Sequence, residues 1–315
     1  MTVEEDAALE ALLAERSETK AVVRAVLAVW PEHASYLLKS FRSRTPRMLD
    51  TTEAAAVASR KLMAGEDSRF ATDYRWTCDR LRDEELFFHR EGRYRLSTFA
   101  EALAEVYSND DYMSRYMSGL LLTQVLWYNH VALLDMFLGN LLGATNARFD
   151  YLEVGPGHGL MIYFAAAHPL ANALEGWDVS SVSLAQTRAA LDRLGVVKPV
   201  SLVETDILQV HSSPRRYDLV VISEVLEHLE NPGDALRLLR TAISDQGRIY
   251  VNVPINSPSP DHLYLLSSPR NVEELITGAG FRIEEMQLHA TQGRSIESAL
   301  ANRVSVSAGV IARPS

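Results

Sequence analysis

The run Tyr151-Leu-Glu-Val-Gly-Pro-Gly-His-Gly159 constrains this chain more than any other stretch. An apolar, strand-like segment, Phe149–Val154, leads straight into three glycines at alternate positions, and an apolar segment that reads as a helix starts at His158. Glycines at 155, 157 and 159 let the backbone turn tightly and approach a ligand closely. The helix that follows begins with unpaired amide groups aimed at that ligand. A turn of this kind must be held by a strand–turn–helix unit, so the second half of the chain is expected to be α/β.

The rest of residues 146–315 follows the same pattern. Strands are expected at Phe149–Val154, Ala173–Val179, Val200–Thr205, Tyr217–Ser223, Arg248–Val253, Arg282–Leu288 and Arg303–Ala312, with helical segments starting at His158, Ser181, Gly233 and Asn271. Such alternation predicts a mostly parallel sheet covered by helices on both faces. The last two strands alternate more with polar residues and suit an antiparallel pair at one edge.

Glycine-rich turns also occur in dinucleotide enzymes, and three neighbouring features narrow the reading. Glu153 places a carboxylate at the leading edge of the loop, where a pyrophosphate would be repelled. Asp178, in Trp177-Asp-Val-Ser180, falls about twenty residues after the turn, where an acid can take both ribose hydroxyls. Asp206, in Glu204-Thr-Asp-Ile207, can accept from an adenine amino group while Ile207 packs on the ring. In this order the features resemble the successive motifs of class I S-adenosyl-L-methionine (SAM)-dependent methyltransferases, over residues 148 to 312. The resemblance implies a Rossmann-like, seven-stranded, mostly parallel sheet. It implies that Glu153, Gly155 and Gly157 shape the methionine end of the cofactor, that Asp178 holds ribose, and that Asp206 and Ile207 hold adenine. Ser223, at the end of the fourth strand, joins this set. His158 is read only as a helix-start residue.

In open parallel sheets ligands bind at the carboxyl ends of the strands. The fourth strand ends in Val221-Ile-Ser-Glu-Val-Leu-Glu-His-Leu-Glu-Asn-Pro232 and the fifth in Val253-Pro-Ile-Asn-Ser-Pro-Ser-Pro-Asp-His262. Glu224, Glu227 and His228 form an E-x-x-E-H pattern, and His262 arrives from the next strand. Two carboxylates and two imidazoles suit a divalent metal (Mg, Mn, Fe or Zn) with positions left open. The pattern is similar to that of metal-dependent plant-type small-RNA 3′-terminal 2′-O-methyltransferases and ubiquinone-pathway O-methyltransferases. A metal could bind two substrate oxygens and lower the pKa of one. Without a metal, His228 is the candidate base. The His-x-Trp-x-Asp surroundings usual for that role are replaced here by His228-Leu-Glu-Asn-Pro. In a third reading Glu227 caps a turn and His262 satisfies loop carbonyls. On these readings Glu224, His228 and His262 are the candidate catalytic residues.

Residues 1–145 read as a mainly helical domain. Leu9, Leu12, Leu13 and Val22, Val23, Val26, Leu27 recur at helical spacing, and Trp30-Pro31 breaks the pattern. A helix is expected over Arg69–Arg82. Glu85-Leu-Phe-Phe-His-Arg-Glu-Gly-Arg-Tyr-Arg-Leu-Ser97 then reads as two short strands turning at Glu91-Gly92, with a helix from Thr98. This order resembles the winged-helix dimerisation domain of small-molecule O-methyltransferases, over roughly residues 20 to 105. The resemblance implies a homodimer and a lid over an enclosed pocket. Asp110–Leu142 reads as one long apolar helix or two, carrying Tyr112, Met113, Tyr116, Met117, Trp127, Tyr128, Asn129 and His130, either as core or as the roof of a substrate pocket.

Composition limits the functions that fit. A net charge of -10 opposes a sequence-independent grip on nucleic acid or on an anionic membrane surface. The single cysteine, Cys78, excludes an intrachain disulfide and fits a reducing cytoplasm. No apolar run reaches the roughly 18 residues of a membrane span, and the acidic first residues carry no basic-then-apolar leader. The leading expectation is a cytoplasmic enzyme that methylates a small polar metabolite on O or C, metal-assisted, in specialised biosynthesis. The alternatives are metal-independent O- or N-methylation with His228 as base, RNA 2′-O-methylation, and a non-catalytic SAM-binding regulator.

Overall fold

The computed structural model describes residues 2–210, 212–213 and 215–315. The chain divides into two compact units. Unit 1 comprises residues 1–135, 257–262 and 289–306; unit 2 comprises residues 136–256, 263–288 and 307–315.

Unit 1 is helical: α1 (Val3–Leu12), α2 (Ser17–Val29), α3 (Ala34–Arg42), α4 (Pro46–Met63), α5 (Asp67–Glu91), α6 (Phe99–Ala102), α7 (Asp110–Leu126) and α8, which starts at Tyr128 and ends at Met136. Sequence-local chemistry sets most of these boundaries. Thr45 caps α4 by accepting from the Met48 amide, with Pro46 at the first helical position. Trp30 ends α2 and Pro31 opens a short 3₁₀ turn. Thr98 and Glu101 form a capping box that starts α6. Helix α5 buries Phe70, Ala71, Tyr74, Thr77, Glu84 and Phe88 along one stripe and packs chiefly against α7 and α2. The α5–α7 crossing is close: a Cβ on Gly119 would lie 2.1 Å from Thr77 Oγ1.

The segment expected as a hairpin folds differently. Helix α5 runs on through Glu85–Glu91 and ends at Gly92, which takes the left-handed conformation that closes helices. Residues 93–97 form neither helix nor strand. Leu86-Phe87-Phe88 was ambiguous because a short apolar run carries no periodicity of its own. The helix wins by burying Phe88 on the α5 stripe while Leu86 stays 62% exposed. Tyr94 and Leu96 keep the alternate burial of an extended segment.

Asp110–Leu142 is indeed two helices, broken at Trp127, whose backbone is extended. The break exposes the last carbonyls of α7 inside the unit, and Arg44 takes them. Its guanidinium, 6% exposed, donates to the Val125 and Leu126 carbonyls and to the Thr52 and Ser40 hydroxyls, and stacks over Phe41. Burial pushes Arg44 down to about 9.

Unit 2 is built on one seven-stranded sheet: β1 (Phe149–Val154), β2 (Ala171–Asp178), β3 (Val200–Glu204), β4 (Tyr217–Ser223), β5 (Ile243–Ile255), β6 (Phe281–Ala290) and β7 (Val306–Pro314). The order is β3-β2-β1-β4-β5-β7-β6. The pairs β1–β2, β1–β4, β2–β3 and β4–β5 are parallel, so the Rossmann-like expectation holds. Helices α9 (Leu160–Ala167), α10 (Ser181–Leu194), α11 (Pro232–Ala242) and α12 (Pro269–Gly278) follow β1, β2, β4 and β5. Helix α13 (Ile296–Ala301) belongs to unit 1. Strands β1 and β4 are buried almost throughout, as expected where helices cover both faces of the sheet. The chain leaves β1 toward β2 on one side and returns as β4 on the other. The register Glu153↔Val221 and Val154↔Ile222 brings the carboxyl ends of these two strands level. This reversal of strand order is where open α/β sheets leave a crevice for ligands.

Candidate active site

The β1 turn forms one wall of that crevice. Gly155, Gly157 and Gly159 all have positive φ, at 67°, 48° and 75°. At Gly155 the absence of a side chain is needed twice over, since a Cβ would also lie 2.5 Å from Val225 Cγ2. Glu153 lies beneath the turn, 3% exposed. It accepts from the Tyr151 hydroxyl at 2.8 Å and from the Ile162 amide in the first turn of α9. Burial outweighs both hydrogen bonds and pushes its carboxyl up to about 8. His158 stands at the helix start as expected. Its Nδ1 accepts from the Leu160 amide at 3.4 Å, and burial pushes it down to about 4. The ring is therefore neutral near pH 7.

Strands β2 and β3 supply the next wall. Asp178 ends β2, and its two oxygens accept from the Ser180 amide (2.9 Å) and the Ser183 hydroxyl (3.0 Å) at the start of α10. Burial raises its pKa. The Asp178 carbonyl takes the Thr205 amide at 2.8 Å, which ties the end of β3 to the end of β2. Asp206 then accepts from the Leu208 amide at 2.9 Å, and Ile207 is buried beside it.

Strand β4 ends at Ser223, whose hydroxyl accepts from Asn252 Nδ2 of β5 at 3.0 Å. Glu224 follows with φ 53°, and its amide donates to the Asn252 carbonyl at 2.9 Å. Asn256, just past the end of β5, also has a left-handed backbone, with φ 49°. A non-glycine residue in this region costs about 1–3 kcal/mol, and such strain gathers at functional sites. Glu227 sits in a 3₁₀ turn, Leu226–His228, and is fully buried. Its Oε1 lies 3.9 Å from Nε2 of His228, whose side chain is 23% exposed. The Glu227 carbonyl accepts from the Leu263 and Tyr264 amides at 2.8 and 2.9 Å.

Unit 2 therefore gathers Glu153, Gly155, Gly157, Asp178, Asp206, Ile207, Ser223, Glu224, Glu227 and His228 on the carboxyl edge of its sheet. His262 belongs to the 257–262 segment of unit 1 and is the chain neighbour of Leu263. It is 7% exposed, and its Nδ1 lies 2.7 Å from the Ser257 carbonyl. A carbonyl only accepts, so in the neutral ring Nδ1 carries the proton and Nε2 the lone pair. His130 lies at the α7–α8 bend, where its Nδ1 meets Thr123 Oγ1 at 2.9 Å and Gln124 Nε2 at 3.2 Å.

Reasoning from sequence missed Val225, which needs Gly155 bare, and Asn252, which spans Ser223 and Glu224. It also missed Ser183, the second donor to Asp178. These partners sit on other strands or one helical turn away, so no local spacing marks them.

Comparison with known proteins agrees with this geometry. Residues 152–249 match the model of a methyltransferase domain. The structure of the mitomycin 7-O-methyltransferase MmcR is similar, with a TM-score of 0.51 at 14% identity, covering 79% of this chain and 71% of that one. A putative methyltransferase from Bacillus halodurans gives 0.48 at 15%, covering 57% and 99%. The [4+2]-cyclase SpnF gives 0.46 at 16%, covering 57% and 80%. At 14% identity the likeness to MmcR speaks to the fold alone. No curated protein matches the sequence.

Proposed function

We propose that this chain, a class I SAM-dependent methyltransferase, methylates an oxygen or carbon of a small polar metabolite, aided by a divalent metal. The observation that carries the reading is the buried Glu227 carboxylate beside His228, at the end of β4 and next to the strained Glu224. Carboxylate with imidazole is a donor set that divalent ions take. Glu224, Glu227, His228 and His262 are the proposed ligands. When bound, such an ion polarises an acceptor oxygen and lowers its pKa.

The chain's own residues do the rest. Asp178, Asp206 and Ile207 hold the adenosine end of SAM, and the β1 turn holds the methionine end, which fixes the direction of the sulfonium–methyl bond. The acceptor attacks the methyl carbon in line with sulfur: the acceptor–carbon bond forms, the carbon–sulfur bond breaks, and the acceptor loses its proton. Placing nucleophile and leaving group in line is the main demand on the protein.

The partial exposure of His228 favours a second reading, in which no metal binds and His228 takes the proton. One experiment separates the two. Protein purified without chelator is assayed for metal beside a His228→Ala/His262→Ala double variant, with SAM binding measured on both. Stoichiometric metal in the wild type, lost in the variant while SAM still binds, supports the metal reading. No metal in either, even after incubation with Mg²⁺, Mn²⁺, Fe²⁺ or Zn²⁺, refutes it and leaves His228 as the base.

The reading extends to a homodimer working in the cytoplasm on a specialised biosynthetic substrate. Leu86, Phe99 and Leu103 of unit 1, which are 62%, 40% and 47% exposed, suit a partner surface. A monomeric mass by light scattering would refute the dimer. Among the described residues no helix is long and apolar enough to cross a membrane.

A further inference from the structure

The segment 257–262 is held by side chains of its own unit. The Tyr94 hydroxyl accepts from the Ser257 amide at 3.2 Å. The Ser259 hydroxyl donates to Asp261 Oδ1 at 2.8 Å. Its single proton is thereby committed, so the Tyr116 hydroxyl, 2.5 Å from Ser259 Oγ, donates to it. The Tyr107 hydroxyl donates to the other oxygen, Asp261 Oδ2, at 3.3 Å. The Asp261 carboxylate is thus held by Tyr107 directly and by Tyr116 through Ser259, and Tyr116, Ser259 and Asp261 are each buried to within 4%.

His262 sits at the end of this arrangement. Its amide donates to the Ser259 carbonyl at 3.3 Å, and its Nδ1–H donates to the Ser257 carbonyl at 2.7 Å. The Tyr94 ring stands edge-on to the imidazole, with centroids 5.8 Å apart. Both carbonyls that orient His262 therefore belong to residues that the tyrosines grip. An imidazole whose Nδ1–H is pinned to a backbone carbonyl has its tautomer and ring plane set, and its Nε2 becomes the more basic nitrogen.

We propose that Tyr94, Tyr116 and Asp261 are positioning residues for His262. They clamp the 257–262 segment so that His262 keeps its proton on Nδ1 and presents Nε2 as the reactive lone pair. The helical unit thereby sets the chemical form of one candidate site residue. The inference rests on the reading above that His262 belongs to the site.

The test follows the ring nitrogens of His262 in long-range ¹H–¹⁵N spectra, assigned with His262→Gln, for the wild type and for Tyr94→Phe and Asp261→Asn. The wild type is expected as the Nδ1–H tautomer and both variants as tautomer mixtures, with SAM binding retained. Affinity for Co²⁺ as a probe is expected to fall in both variants, by up to the roughly 10- to 100-fold that losing an outer partner of a ligand histidine costs. If Asp261→Asn fails to fold, Ser259→Ala removes the same relay with less disturbance. An Nε2–H tautomer in the wild type, or folded variants with unchanged tautomer and Co²⁺ affinity, overturns the proposal. His262→Gln keeps the two readings apart: if it leaves methyl transfer and Co²⁺ binding intact, the assignment of His262 to the site fails, while the wild-type tautomer still judges the clamp.

Discussion

Glu153 offers the sharpest test of the surroundings beneath the β1 turn, through the dependence of stability on pH. Its carboxyl is pushed from 4.5 to about 8 by burial beneath the β1 turn. In the unfolded chain it ionises at the ordinary value. Between these limits the folded state holds a proton that the unfolded state has released, so stability falls as pH rises, by about 1.4 kcal/mol per pH unit. Below pH 4.5 the contribution is fully present; above about 8 it is gone. Several histidines act with the opposite sign. Burial pushes His33 and His158 down to about 4, so their contribution is present above 6.5 and lost as pH falls toward 4. The contributions of these histidines are complete above pH 6.5, so between pH 6.5 and 8 the loss of the Glu153 contribution should remove about 2 kcal/mol. Glu153→Gln keeps the shape of the protonated side chain and an acceptor for Tyr151 but cannot ionise. Urea unfolding of the ligand-free proteins should show the wild type losing about 2 kcal/mol relative to the variant across that window. Parallel stability curves from pH 6.5 to 8.5 would refute the argument that Glu153 is buried neutral.

Three further outcomes follow from the geometry. Gly155→Ala should weaken SAM binding at least about tenfold, because the new Cβ meets Val225 Cγ2 and the left-handed backbone itself costs about 1–2 kcal/mol; calorimetry on Gly155→Ala/Val225→Ala should recover only the clash, and full recovery would show that the backbone conformation is unimportant. Asp178→Ala should abolish most SAM affinity and cost about 1 kcal/mol of stability, through the lost contacts to Ser180 and Ser183 at the start of α10; unchanged SAM affinity would remove Asp178 from the ribose site. Arg44→Met should destabilise by about 3 kcal/mol or more, since four buried acceptors lose the guanidinium and only the Leu126 carbonyl keeps a second donor, the Ser40 hydroxyl, and Arg44→Lys should restore little because one ammonium cannot span the fork; a denaturation midpoint close to wild type would show that the α7 end is satisfied otherwise.

Much of unit 2 was legible because its signals are local. A strand such as Phe149–Val154 running into Gly155 carries its own apolar run and its own turn, and the observed strand matches the expected one at both ends. Strands β5 and β7 were misjudged at their limits: β5 begins at Ile243, ahead of the expected Arg248, and β7 begins at Val306 after a helix, α13, that the sequence did not signal. The hairpin at Glu85–Ser97 failed for a related reason. Leu86, Phe87 and Phe88 suit strand or helix equally, and the choice fell to whether Phe88 could join the buried stripe of a helix begun 21 residues earlier, at Asp67.

What the sequence determined by itself was the α/β alternation, the glycine turn, and the order of acids at the strand ends. Each of these depends on the chemistry of a few consecutive residues and on a fixed periodicity. Only the tertiary structure decided the protonation of Glu153, the clash that keeps Gly155 bare, the capping of α7 by Arg44 and the tautomer of His262. Each of those arises from burial, or from a partner far away in the chain: Val225 is 70 residues from Gly155 and Tyr94 is 163 from Ser257. A linear pattern can show which groups are available for chemistry, whereas dielectric surroundings and hydrogen-bond partners exist only once the chain has folded.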